Sequence, residues 1–271
     1  MVVDPEKLPV NKDMNQELFS LPIMEIKKTI KSPLITEFVF EHLENGLAVT
    51  LGNTFKRLGN QVPGWAIFAV KISDKEKTIA SEFGNEAILK GIKEIPSYLI
   101  FHLMKLVFQS PEKDFAQLGK VCTLQIDINN SQNKENYIVT GKDIKGDLKV
   151  INPETYLATV EEHSELKITL HCRYYWGFIK EADQKYLLSD KENVILLPSN
   201  YCPVKTISWR AEPAIIDLNK QEENLILTIT TNGSVSAQDS LIMMTNFLEQ
   251  SIINIRQLIT SKPKKEQNRE E

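Results

Sequence analysis

The chain has 271 residues, 42% hydrophobic and 25% charged, and a formal net charge of −4. That length suits one large domain or two modest ones, and the acidic balance argues against a protein that mainly coats nucleic acid, which needs clustered Lys and Arg. No apolar run approaches the roughly 20 residues that span a bilayer: the most apolar stretch, residues 98–108, is broken by His102 and Lys105. The first residues, MVVDPEKLPVNKD, lack a long apolar core behind a basic flank and do not read as a secretory signal. A soluble, intracellular protein with no membrane partner is expected.

In chain order, residues 33–51 read as two β-rich runs around a tight turn at Asn45-Gly46. Phe38 and Phe40, then Leu47, Val49 and Leu51, keep a period of two. A helix is predicted to start near Asn53, a favourable N-cap residue. Phe55, Leu58 and Val62 share one of its faces, Gly59 weakens it, and Pro63-Gly64 ends it. From Trp65 the stretches WAIFAVKIS and TIASEF read as strands around the charged turn DKEK. Residues 96–107 read as a helix with Tyr98, Leu99, Leu103 and Leu106 on related faces. CTLQIDIN and ELKITLHCRYYWGFI alternate cleanly, as sheet strands with one wet face do. Short extended pieces fill residues 137–160, and residues 224–231 form a last strand.

Ser236 then caps a long helix over residues 237–260. Leu241, Met244, Leu248, Ile252, Ile255 and Ile259 step by three or four along it, and Met243, Phe247 and Ile253 widen the stripe. A helix apolar over so wide an arc wants two neighbours, its own sheet and a partner. Residues 261–271 are dense in charge and read as a disordered tail.

Little of this looks catalytic. His163 and His171 fall eight apart on an apparent strand, on one face but too distant to share a metal at ~3.3 Å per residue. His42 and His102 have no ligand-like spacing to Cys or carboxylate. No metal site, cofactor or acid–base pair stands out, and G-x-S-x-G is absent. Cys122, Cys172 and Cys202, odd in number and without C-x-x-C, suit a reducing compartment as buried small hydrophobes. The basic stretch TLGNTFKRLGNQVPG poses three readings: a catalytic loop, a phosphate cradle or a protein-docking helix. It has neither a Walker lysine nor G-x-G-x-x-G, and Lys56 and Arg57 sit on the helix body rather than at its N-terminus, where anions bind. Two solvated charges are the plain alternative. The sharper one is an arginine anchor at an interface rim, where a planar guanidinium is favoured.

The segment LENGLAVTLGNTFKRL, followed by VPG, resembles the signature of the bacterial-type RNA polymerase alpha subunit, L-E-x-G-x-x-x-T-L-G-N-A-L-R-R-x-L then P-G. The likeness continues in order through GIKEIPSYLIFHLMKL, VTGKDIKGDLKVINPETYLATV, YCPVKTISWRAE and LILTITTNGSVSAQDSL, from about Ser32 to Leu258. Any one motif is moderate; the ordered set is specific.

The resemblance implies an α+β fold of two subdomains, a dimerisation subdomain from residues 1–64 and 199–260 and an inserted β-rich subdomain from residues 65–198. It implies a non-catalytic assembly subunit, a homodimer platform docking the beta and beta-prime subunits of a nucleotidyltransferase complex, with no active site in this chain. The beta-docking arginine of the family maps to Arg57, with Lys56, Asn53 and Leu58 around it. The dimer interface maps to Phe55, Leu241, Met244, Leu248, Ile252 and Ile255, and a beta-prime contact to Lys105 and Trp176. Leu51, Gly52 and Asn53 match the strand-to-helix corner that aims the docking helix.

Departures from the family pattern exist. The span from Arg57 to Pro63 is one residue short, residues 83–91 are longer than usual, and Tyr174-Tyr175-Trp176-Gly177-Phe178 replaces R-G-R-G-Y. The family's C-terminal domain, which binds upstream promoter DNA, has no counterpart after the long helix, so no direct sequence-specific DNA contact is expected. Location would be a bacterial cytoplasm or a plastid stroma. The alternative from another class is a free-standing regulator or scaffold that never enters a polymerase; pairing with a different chain, as in archaeal and nuclear counterparts, also stays open.

Overall fold

A computed structural model describes residues 25–73, 78–79, 89–109, 118–188, 194–214 and 222–260. The turn DKEK, most of TIASEF and the charged tail therefore lie outside the described residues. The first half of the chain supplies β1 (Glu25–Ser32), β2 (Ile35–Glu44), α1 (Leu47–Leu58), β3 (Gly64–Ser73), β4 (Thr78–Ile79), α2 (Pro96–Leu103), β5 (Phe108–Gln109) and β6 (Val121–Asn129). Short pieces follow: β7 (Tyr137–Thr140), β8 (Ile144–Lys145), β9 (Lys149–Val150) and β10 (Tyr156–Val160). Then come β11 (Glu165–Tyr175), β12 (Phe178–Ile179), β13 (Ile195–Leu196), β14 (Ser199–Asn200), β15 (Val204–Ala214), β16 (Glu222–Thr231) and α3 (Ala237–Thr260). The architecture is α+β, dominated by antiparallel strands.

One sheet runs in the order β1-β2-β16-β15. Period-two alternation puts Phe38 and Phe40 of β2 and Leu225, Leu227 and Ile229 of β16 on or near a shared apolar core, closed by Ala48 and Phe55 of α1, Val62 just beyond it, and Ala237, Leu241 and Met244 of α3. A larger sheet runs β8-β6-β11-β3-β5-β9, with β4 and β13 also pairing with β3. Leu166, Ile168, Leu170 and Cys172 of β11, Leu124 and Ile126 of β6, and Val70 and Ile72 of β3 are buried with Leu99 and Leu103 of α2 and with Val139 and Leu157. Buried apolar residues thus gather in two clusters: one drawn from residues 38–62 and 204–244, the other from residues 67–197.

Three local expectations are corrected. Leu47, Val49 and Leu51 do not form the second arm of a hairpin: they open α1. The turn expected at Asn45-Gly46 is present, with Gly46 at φ 86° in the left-handed region, but it leads into a helix rather than a second strand. Asn53 consequently lies inside α1, exposed, and is not its N-cap. No side chain caps the helix locally; instead the Ala48 N–H donates to Glu223 Oε1 of β16 at 2.7 Å, so a distant strand satisfies one of the orphan first-turn donors. The second helix stops at Leu103, short of residue 107, with Met104 as its C-cap. His163 lies before β11, at φ 57°, with its Nδ1 2.9 Å from the Ser131 carbonyl, so it does not share a strand with His171.

α1 approaches its sheet through a glycine. A Cβ on Gly52 would fall 2.3 Å from the Trp209 indole of β15, so only a bare backbone fits there. Gly59 fits against Ile207 in the same way, a Cβ there falling 2.6 Å from its Cδ1. Gly52 is thus a helix–sheet contact in mid-helix, not a strand-to-helix corner. Among the described residues no helix is long and apolar enough to cross a membrane.

Candidate functional site

The last turn of α1 alternates inward and outward residues. Phe55 points into the core, 3% exposed, with its ring stacked on Phe40 at 6.1 Å between centroids. Lys56 and Arg57, the next two residues, are both exposed. Asn53, also exposed, lies three and four positions before them, so the three side chains form one outward polar patch. Leu58 at its edge is half-buried. Two cations in the last turn also suit the negative end of the helix dipole. Among the described residues neither Lys56 nor Arg57 makes an ion pair. The corner presents charge, directional donors and a hydrophobic rim, the chemistry of a protein-docking site.

The long helix starts where the sequence places it. Ser236 Oγ accepts from the Asp239 N–H at 3.0 Å and donates to Asp239 Oδ2 at 2.7 Å. The turn before it is tied by the Ser234 N–H donating to Asn232 Oδ1 at 3.0 Å, with Gly233 at φ 93°. Burial along α3 is lopsided. Ala237, Ser240, Leu241 and Met244 are buried, and from Thr245 onward no residue is. Phe247 is 50% exposed, Ile252 and Ile255 57%, and Ile259 78%. At 1.5 Å per residue the unburied part is about 24 Å long.

The interface expected from sequence is therefore split. Phe55, Leu241 and Met244 are buried in their own chain's core and leave little surface open. Leu248 is half-buried, while Ile252 and Ile255 stand in the open. A periodic stripe cannot tell which neighbour each turn meets; the end of the sheet under the helix decides that.

Beside the root of this helix lies an open apolar cavity of about 260 Å³, lined by Leu58, Val62, Met243, Phe247, Leu118 and Trp176 among others. Neither the cavity nor Leu118's part in it was legible in the sequence, because its walls come from four distant stretches. Trp176, in the turn between β11 and β12, stacks on Tyr175 at 4.9 Å and is 39% exposed. Lys105, just past α2, has its Nζ 4.1 Å above the Phe101 ring, next to exposed Tyr98 and Met104. The two residues expected to share a beta-prime surface have different neighbours, and the described contacts do not bring them together.

The histidines hold structural contacts. His42 Nδ1 lies 2.9 Å from Glu222 Oε2, and His102 Nδ1 lies 3.0 Å from the Leu157 carbonyl. Of the three cysteines, only Cys172 is buried; Cys122 and Cys202 are half-buried. Far apart in sequence, Cys122 and Cys172 face each other across β6 and β11. The hydrogen bond between them lowers the Cys122 thiol below its usual range, while burial pushes that of Cys172 well up. Tyr201 donates to Gln184 Oε1 at 2.5 Å, Gln184 donates to the Leu197 carbonyl and to Ser199, and Ser199 Oγ donates to the Ile67 carbonyl of β3. This closed network is a structural lock.

The sequence is similar to known proteins over most of its length. Three relatives carry the name DNA-directed RNA polymerase subunit alpha. That of Malacoplasma penetrans is 30% identical over 221 residues, that of Emiliania huxleyi 26% over 233, and that of Maridesulfovibrio salexigens 25% over 234. The alignments cover 78%, 83% and 85% of this chain. They cover 63%, 67% and 62% of the relatives, so the chain spans about two thirds of their length. The RNA polymerase Rpb3/Rpb11 dimerisation domain matches residues 41–250, which takes in α1, the large sheet, β15 and β16 of the smaller one, and the first half of α3. A match over so much of the sequence, on an α+β fold with an apolar helix left uncovered, places this chain in the RNA polymerase Rpb3/Rpb11 dimerisation-domain family.

Proposed function

We propose that this chain is a non-catalytic assembly subunit of a multisubunit DNA-dependent RNA polymerase, acting in a bacterial cytoplasm or a plastid. Two copies pair through α3, and the pair offers the Asn53–Lys56–Arg57 patch, rimmed by Leu58, to the beta subunit. Lys105 and the exposed face of α2 turn toward beta-prime; Trp176 is left out of that contact because it lies beside α3. Residues 1–64 and 199–260 act as the pairing subdomain, with residues 65–198 inserted, a division supported by the two separate apolar clusters. The acidic net charge of −4 supports a protein-facing role without sequence-specific DNA contact.

The observation that carries this reading is the uncovered apolar length of α3, with Ile252, Ile255, Leu258 and Ile259 all more than half exposed. Such a face is costly to leave in water, at about 25 cal/mol per Å² of apolar surface, and pairing through it removes that cost.

The test is co-expression with the two large subunits, followed by size exclusion with light scattering. Wild type should elute as a stoichiometric complex with two copies of this chain. Arg57→Ala should keep the pair and weaken beta capture, by about tenfold or more if Arg57 is an anchor. A chain that pairs yet never co-purifies with large subunits would instead be a free-standing scaffold, and the polymerase reading would fall.

A further inference from the structure

We infer that Cys122 and Cys172 are a redox-active dithiol: Cys122 exchanges with small-molecule disulfides, and Cys172 then closes a reversible bridge between β6 and β11. The reaction needs a single copy of the chain and is independent of how that chain pairs.

The register of the large sheet sets the two sulfurs side by side. Cys172 is the direct partner of Cys122, in a ladder where Leu170 opposes Leu124 and Ile168 opposes Ile126. Directly opposed residues of an antiparallel pair point to the same face, with Cα atoms about 4.5–5.5 Å apart. A disulfide takes Cα separations of about 4.4–6.8 Å, so this spacing accommodates a bridge without displacing either strand. The backbone beside it is already held. The Gly119 N–H donates to the Tyr174 carbonyl at 2.8 Å, and the Tyr174 N–H donates to the Lys120 carbonyl at 2.9 Å.

The two thiols differ in the way stepwise exchange requires. Cys122 is half-buried near the start of β6, while Cys172 is wholly buried in the core. β8 pairs with β6 only at Gln125 and Ile126, so among the described residues no strand flanks the outer edge of β6 at Cys122. The hydrogen bond with Cys172, aided by the Lys120 charge, lowers the Cys122 thiol against the opposing effects of burial and Asp147. That favours thiolate, the attacking form. Cys202 stands apart in the other apolar cluster, with its Sγ donating to the Gly59 carbonyl at 3.1 Å and to the Val204 carbonyl at 3.3 Å.

The Cys122 thiolate attacks one sulfur of a small disulfide RSSR, forming Cys122–S–SR and expelling RS⁻. The expelled RS⁻ takes the Cys172 proton. The Cys172 thiolate then attacks Sγ of Cys122, breaks the mixed S–S bond and expels the second RS⁻, which takes the proton that Cys122 released to water. Two thiols and RSSR thus give one protein disulfide and two RSH, with two electrons passing to the external disulfide. Excess RSH reverses the reaction, so the bridge follows the surrounding ratio of disulfide to thiol. Once closed, it ties off residues 122–172, a long loop that includes β7 to β10, and so restricts the unfolded chain.

The test incubates the folded full chain with glutathione disulfide, quenches with acid, and labels the remaining thiols with N-ethylmaleimide in denaturant before mass spectrometry. Reduced wild type should take three labels and oxidised wild type one, on Cys202, with a peptide pair linked through Cys122 and Cys172 that dithiothreitol separates. Cys172→Ala, which keeps an apolar side chain in the core, should accumulate the mixed glutathione disulfide on Cys122. Cys122→Ser should keep both of its thiols, and Cys202→Ser should close the bridge as wild type does. The oxidised chain should melt about 5 °C or more above the reduced one, a gain absent from Cys122→Ser. Three labels after oxidation, a mixed disulfide that persists on wild-type Cys122, a bridge through Cys202 or a disulfide between two copies each overturns the inference. A bridge that lowers the melting temperature, or that forms only after urea has unfolded the chain, overturns it as well.

Discussion

At Gly52 the packing of α1 comes down to a single missing carbon. Alanine normally stabilises a helix interior relative to glycine by about 1 kcal/mol. Here its Cβ would lie 2.3 Å from the Trp209 ring, so either the indole or the helix must shift. Gly52→Ala should therefore destabilise the chain by about 1–3 kcal/mol, read from urea unfolding; a gain in stability would refute the close contact. A second residue-scale consequence concerns pH. Burial pushes the Tyr201 hydroxyl from 10 up to about 12. A group whose folded value is raised supports folding fully below its unfolded value and loses that support as pH climbs through the folded one. Buried Cys172, whose thiol is also pushed up, acts in the same direction. Melting temperature should thus fall between about pH 10 and 12, and Tyr201→Phe should flatten part of that fall in thermal melts at pH 9 and 11.5.

At the scale of elements, α3 has two halves that answer to different neighbours. Its first turns are glued to its own sheet by Leu241 and Met244, 8% and 1% exposed, whereas Ile255 is 57% exposed. Aspartate at the two kinds of position should fail in different ways. Met244→Asp buries an unpaired charge and should unfold the chain, a loss above about 4 kcal/mol. Ile255→Asp should leave the circular dichroism of a folded monomer while abolishing self-association in sedimentation. If Ile255→Asp still pairs at wild-type concentrations, α3 is not the seam. The N-terminus of α1 depends on another element as well. Its Ala48 N–H is held by Glu223 of β16, so Glu223→Ala should fray the first turn, speeding amide exchange around residue 48 with little effect on α3.

For the whole molecule, what the described residues share is incompleteness. One cluster of apolar residues lies in the large sheet, while the other is continued by a helix in whose outer half, from Thr245 to Thr260, no residue is buried among the described residues. The exposed Asn53–Lys56–Arg57 patch and the uncovered tip of α3 are separate surfaces, so loss of one should spare the other. The double variant Arg57→Ala, Ile255→Asp should show additive defects in large-subunit capture and in pairing.

The α+β class, the cap at Ser236, the period of α3, the long strands and the ordered motifs were all legible from residues alone. Each rests on local spacing or local hydrogen bonding, which a linear chain already contains. The start of α1 was not: Leu47, Val49 and Leu51 alternate as a strand would, and what turns them into a helix is a left-handed Gly46 and a carboxylate from residue 223. Nor could the stripe on α3 reveal that Met244 faces inward and Ile252 outward, since both obey the same period. Only tertiary structure decides such questions, because burial depends on where the supporting sheet ends, and that edge is set by strands far away along the chain.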